Sequence, residues 1–170
     1  MSGSFVWDNF YKKADGADIY ALLGRVPIFD TLSKGELKLF EHILHRRVYA
    51  KGEFIFREGD TGSAMYIIED GEVSLEIGKS RQEISHLANG DFFGEIALFA
   101  DQPRSASAVA FEETRIFGFS QHDLLGLLET HPKTGITVVM KLTRIIADRL
   151  QRATIENTRL LDTLILHTGK

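Results

Sequence analysis

The sequence has no cysteine. This excludes a disulfide framework, a thiolate-held metal and a cysteine-ligated iron–sulfur centre. Proline is scarce, with 3 residues in a chain of 170. No apolar run reaches the roughly 18 residues that a membrane-spanning helix needs. The opening stretch, MSGSFVWDNFYKK, lacks the apolar segment of a secretory signal. Neither sign of charge dominates: 20 basic side chains stand against 24 acidic ones, a net charge of -4. That balance gives no electrostatic footprint for nucleic acid. The expectation is a soluble cytoplasmic protein that neither enters a membrane nor binds DNA directly.

What is present falls into three regions: an N-terminal helical extension (1–23), a β-rich domain with its flanking helices (24–131) and one long C-terminal helix (132–170). In the first, DIYALLG spaces Ile19, Leu22 and Leu23 as a short amphipathic turn ended by Gly24. Ser33 and Glu36 have the spacing of a capping box, in which each side chain satisfies a backbone N–H of the other. Leu37, Phe40, Ile43 and Leu44 then line one helix face. From about residue 47 to 120, short runs rich in Val, Ile, Phe and Tyr alternate with glycines. Gly52, Gly59, Gly62, Gly71, Gly78 and Gly90 can supply the positive φ of tight turns. Regularly spaced short strands predict an antiparallel barrel or sandwich. The fold class expected is mainly β, an antiparallel barrel or sandwich with N-terminal helices and a long C-terminal helix.

A short helix is expected at about 121–129, and Pro132 suits the first position of the next one. Ile136, Val139, Thr143, Ile146, Leu150, Ala153, Asn157, Leu160 and Leu164 then advance by steps of three and four. That is a heptad seam, and Asn157 at an a position suits a parallel pair, so a homodimer through this helix is expected.

The segment FFGEIALFADQPRSASA carries the chemistry. GEIAL can form a helical turn whose N–H groups near Gly94, Ile96 and Ala97 face an anion. Arg104 can pair with a phosphate through two hydrogen bonds, and Ser105 adds a hydroxyl and an N–H. Glu95 would repel that phosphate but can accept a hydrogen bond from a ribose hydroxyl. One phosphate and one free ribose hydroxyl together describe a cyclic mononucleotide.

Phe93, Gly94, Glu95, Ile96, Ala97 and Leu98, followed by Pro103, Arg104, Ser105 and Ala106, resemble the phosphate-binding cassette of the cyclic nucleotide-binding domain family. KGEFIFREGD, YIIEDGEVSL and VPIFDTLS are similar to other segments of that family, and the resemblance extends over about residues 24–155. It implies an antiparallel β-roll with flanking helices, in which Arg104 binds the phosphate oxygens and Glu95 the ribose 2′-hydroxyl. Backbone N–H groups around Ile96, Ala97 and Ser105 would complete the cradle. By register with the catabolite activator branch, it implies that Val73, Leu75, Ile84 and Ser85 line the barrel around sugar and base. Thr154 is then a candidate base contact, and Arg149 resembles an arginine that reaches back to the glutamate. Ala153 departs from that branch, which has a threonine there.

Ser105 is compatible with cAMP and with cGMP, of which cAMP is favoured. The implied function is a regulatory module, with the junction at Glu129, Thr130 and His131 as its movable element and an unnamed protein as its downstream partner. Alternatives are the sensor part of a longer regulator, channel or kinase, or a β-roll without ligand. The chain ends at Lys170, which leaves no room after the seam for a winged helix-turn-helix, unless the sequence is a fragment.

No pair of histidines separated by one residue occurs, and no acid/base arrangement with a nucleophile is evident, so an enzyme is not expected. His42 and His45 are read as helix surface rather than metal ligands, and neither a cofactor nor a metal is expected. Phe5, Trp7, Phe10 and Tyr11 form an aromatic segment, read as packing on the rest of the chain or docking to a partner.

Overall fold

The computed structural model describes residues 16–168. Helices α1 (Gly16–Leu23) and α2 (Lys34–Ile43) precede eight strands: β1 (His45–Tyr49), β2 (Phe54–Phe56), β3 (Ala64–Asp70), β4 (Val73–Ile77), β5 (Gln82–Leu87), β6 (Phe92–Phe93), β7 (Ser107–Ala110) and β8 (Thr114–Ser120). A 3₁₀ turn (Glu95–Leu98) interrupts the strands, and α3 (Gln121–Thr130) and α4 (Pro132–Thr168) close the chain. The strands form two antiparallel sheets, ordered β1-β8-β3-β6 and β2-β7-β4-β5. This is the expected β-roll with flanking helices.

Strand alternation divides the apolar residues between two cores. On β3 and β8, Met65, Ile67, Phe117 and Phe119 face the helices, where they meet Phe29, Phe40, Leu124, Leu127, Val138 and Leu142. Ile68 and Ile116, from the opposite face, pack inside the roll with Val73, Phe93, Ala108 and Ala110. The helices are thus held on the back of the sheet that carries β6, the strand leading into FGEIAL.

Local signals agree with this arrangement. Ser33 and Glu36 form the capping box, and Ser120 and Asp123 form a second one at the start of α3. Gly52, Gly59, Gly71, Gly78 and Gly90 have positive φ; Gly62 does not, which corrects its assignment as a turn glycine. His42 and His45 do not share a helix, because α2 ends at Ile43 and His45 opens β1. The aromatic segment at Phe5, Trp7, Phe10 and Tyr11 lies outside the described residues.

The seam on α4 also needs correction. Val139 packs against the helical core and Ile146 is half-buried, so they are not free to face a partner. The other seam positions up to Leu160, namely Ile136, Thr143, Leu150, Ala153, Asn157 and Leu160, are exposed, as are Met140, Ala147, Thr154 and Leu161 one position on; the side chain of Leu164 lies outside the described residues. Where Val139 and Ile146 are covered, Met140 and Ala147 continue an open stripe at heptad steps.

Candidate functional site

Phe92 and Phe93 pair with Ile67 and Tyr66 at the edge of a sheet. The chain then turns through Gly94, whose φ of 74° lies in the left-handed region that favours glycine. The 3₁₀ turn follows directly, and within it the Ala97 N–H donates to the Gly94 carbonyl at 3.2 Å. The Ala97 amide is therefore engaged inside the turn rather than free.

Arg104 lies across from this turn, just before β7. Its backbone is held by the β2–β3 loop: its N–H donates to the Asp60 carbonyl at 2.9 Å, and its carbonyl accepts from Gly59 at 2.8 Å. The side chain runs inward and the residue is only 7% exposed. Nη1 donates to the Gly94 carbonyl at 3.1 Å and Nη2 to the Ala64 carbonyl at 2.7 Å. The guanidinium carbon lies 4.2 Å from the centre of the Phe56 ring. Phe56 belongs to an aromatic group with Tyr66 and Phe93, with centroids 5.5 to 5.9 Å apart. The buried Nε has no hydrogen-bond partner. Burial pulls the guanidinium below its ordinary value, and Tyr66, Asp60 and Glu95 oppose that shift.

A buried cation with neutral acceptors and an unused donor is electrostatically incomplete. An incoming anion would complete it. Glu95 does not do so by hydrogen bonding, because it pairs elsewhere: Arg149 Nη1 of α4 donates to Glu95 Oε1 at 2.7 Å. Arg149 Nη2 also donates to the Phe92 carbonyl at 3.2 Å, with its guanidinium over the Phe92 ring. Glu95 is 7% exposed, so a buried carboxylate and a buried guanidinium flank the same turn.

Both line one cavity of about 620 Å³. That volume suits a small ligand. A family model, "Cyclic nucleotide-binding domain", matches residues 46–131. The chain belongs to this family. It is 35% identical over 133 residues to the "Cyclic AMP receptor protein" of Thermus thermophilus, covering 76% of this chain and 60% of that one. It is 37% identical over 94 residues to the "cAMP-dependent protein kinase regulatory subunit" of Colletotrichum orbiculare, covering 55% of this chain and 24% of that one. The crystal structure of the Thermus thermophilus catabolite activator protein superposes with a TM-score of 0.70 at 34% identity, covering 79% of this chain and 62% of that one. The chain thus spans between about a quarter and six-tenths of these curated relatives.

In this cyclic nucleotide-binding domain the cavity gathers most residues singled out in the sequence. Gly94, Glu95, Ile96, Ala97, Arg104, Ser105 and Ala106 line it from the cassette. Leu75, Ile84 and Ser85 line it from β4 and β5, and Arg149 from α4. The register shift between Leu75 and Glu76 leaves Ile84 without a partner in β4, so Ile84 and Ser85 both reach the cavity. Val73 and Thr154 do not line it. Val73 is fully buried in the inner core, and Thr154 is exposed with its hydroxyl donating to the Leu150 carbonyl at 2.9 Å.

Phe56, Leu87, Phe92 and Gln102 line the cavity without having been singled out, and Ala153, not Thr154, stands beside Arg149 in the α4 wall. Phe56 matters most, since it backs the Arg104 guanidinium. The run KGEFIF signals a strand but not which of its faces turns inward.

Proposed function

We propose that this chain is a cyclic nucleotide sensor, with cAMP favoured, that passes ligand occupancy to a protein partner through α4. The observation that carries the reading is the buried Arg104 guanidinium, with its unused Nε donor, in the wall of the cavity that Glu95 also lines. A cyclic phosphate would give Arg104 the anion it lacks. A ribose hydroxyl would donate to Glu95, in competition with Arg149. The preference for cAMP is supported by the likeness to a cyclic AMP receptor protein and to a cAMP-dependent protein kinase regulatory subunit.

Transmission follows from the contacts of the cassette. Glu95 is tied to α4 through Arg149, and Leu98 to α3 through its carbonyl, which accepts from Gln121 Nε2 at 3.2 Å. A ligand that pulls Glu95 or moves the 3₁₀ turn therefore acts on both helices. His131, between them, has φ -136° and ψ 65°, outside helical geometry, and is the hinge in this reading. A preference of a few kcal/mol for one helix position shifts the population accordingly.

Residues 24–131 act as the sensor, 1–23 as an extension, and 132–170 as lid and dimerisation helix. The exposed apolar residues on α4 support a homodimer, and Thr154 lies among them. This is a regulatory role without catalysis, metal or cofactor, in the cytoplasm and without direct DNA binding. No described helix is long and apolar enough to cross a membrane.

Isothermal titration with cAMP and cGMP tests the reading. Micromolar or tighter binding of cAMP is expected, weaker by about a hundred-fold or more in Arg104→Ala, because a charged hydrogen-bonded pair is lost. Equal affinity in that variant would sink the assignment.

A further inference from the structure

Gly62 reads from the sequence as a turn glycine, yet its backbone is not left-handed. An alanine there meets no φ penalty. It meets Arg104 instead: an added Cβ would stand 2.9 Å from Nη2 and 3.2 Å from Nε. On the other edge of the same guanidinium, a Cβ on Gly94 would stand 2.7 Å from Nη1. The group lies in a slot between two positions that lack side chains.

A flexible arginine could normally swing away from a new methyl group. This one has no slack. Nη2 is bonded to the Ala64 carbonyl at 2.7 Å, Nη1 to the Gly94 carbonyl at 3.1 Å, and one face lies on Phe56. The loop that carries Gly62 is equally fixed. Gly59 and Asp60 bond both backbone groups of Arg104, and Asp60 accepts from the Arg57 N–H at 2.7 Å. Glu58 accepts from the Gly78 N–H at 2.8 Å, and its own N–H donates to Ser107 Oγ at 2.9 Å. Slot and side chain are therefore built as one unit.

We infer that Gly62 is a positioning residue for the phosphate-binding arginine: its missing side chain leaves the slot that the Nε and Nη2 edge of Arg104 occupies, and so sets the guanidinium in the cavity wall. The inference rests on the cyclic nucleotide reading for its ligand but not for its geometry.

Two measurements on Gly62→Ala test it. The first needs no ligand: the Arg104 Nε–H resonance in a ¹H–¹⁵N spectrum. It is expected to shift and exchange faster in Gly62→Ala. It should stay in place in Gly35→Ala, a glycine with nothing within 4 Å of an added Cβ. The second is cAMP titration. Gly62→Ala is expected to lose about ten- to a hundred-fold in affinity, the scale of one charged hydrogen bond. In an Arg104→Lys background the same change should cost no more than about two-fold, because lysine has no Nη2 to displace. An unmoved resonance, unchanged affinity, or an equal loss in the lysine background would overturn the inference. If the wild-type protein binds neither cAMP nor cGMP, the ligand reading fails, and the resonance alone decides the role of Gly62.

Discussion

Arg149 on the long helix places Nη1 2.7 Å from Oε1 of Glu95 in the cassette, 54 positions earlier. The carboxylate is buried, while the Arg149 side chain is 44% exposed. The pair therefore costs little to break from the helix side, yet it spares Glu95 from being buried alone. It links the cassette to α4.

Arg149→Ala should lower ligand-free stability by about 1 kcal/mol, since half of the pair is solvated. Glu95→Gln in the same chain should recover most of that loss, because an uncharged amide tolerates burial without a cation. Urea unfolding of the three variants checks both statements. An additive loss in the double variant would show that the pair carries no coupling.

Leu150 is 66% exposed at the centre of the open α4 stripe. A leucine so exposed contributes little to the fold of its own chain. Leu150→Lys should therefore leave the melting temperature within about a degree or two for a single folded chain. It should convert the sedimenting species from two chains to one if this stripe pairs. A wild-type protein that already sediments as one chain at high concentration would remove the dimer from the proposal.

His86 is held by Glu72 at 3.0 Å and Glu83 at 3.4 Å, with the edge of Phe111 against its ring and Lys51 above Phe111. The hydrogen bond to Glu72, then that to Glu83, raises its pKa above the ordinary 6.5. The charged histidine is favoured by folding, so this stabilisation is complete below 6.5 and is lost as pH rises through the folded value. Glu83 moves the other way: its hydrogen bonds from Ser74 and then His86 hold it below the ordinary 4.5, so its contribution is lost in acid. The melting temperature should fall as the pH is raised above 6.5 in the wild type, and fall less in His86→Gln. Identical slopes for the two proteins would remove His86 as the cause.

Phe40 is fully buried, with Phe29 4.6 Å and Phe119 6.0 Å away between ring centres. It joins α2 to the back of the sheet. Phe40→Ala should cost about 3–5 kcal/mol by loss of burial and creation of a cavity. Equilibrium unfolding in urea measures it, and a loss below about 1 kcal/mol would mean that the helices are not needed to cover this face.

Much of the fold was legible because its signals are local. A capping box needs residues three apart, a helix face needs steps of three and four, and a tight turn needs a glycine. Ser33 with Glu36 and the boundary at Pro132 behave as those rules require. The cassette was legible for a similar reason: its residues are contiguous and their types are restrictive. The helix holding His42 and His45 was not, because Leu44 is extended and passes the chain into β1. Which stripe of α4 stays open was also hidden. Val139 and Met140 are both apolar, and only the core beneath the helix decides that Val139 is covered.

The sequence by itself determined the alphabet of the site: a glycine that can turn, a carboxylate, a guanidinium, and the order in which the chain presents them. It also determined an antiparallel β fold, through the spacing of its strands and turns. Only the tertiary structure decided how those groups are loaded. Arg104 is buried on neutral carbonyls and an aromatic ring, Glu95 is paired with a helix far along the chain, and Gly62 is small to admit a side chain rather than to bend a backbone. The physical reason is that hydrogen bonds, burial and steric exclusion act through space, between residues whose separation along the chain carries no periodic signal.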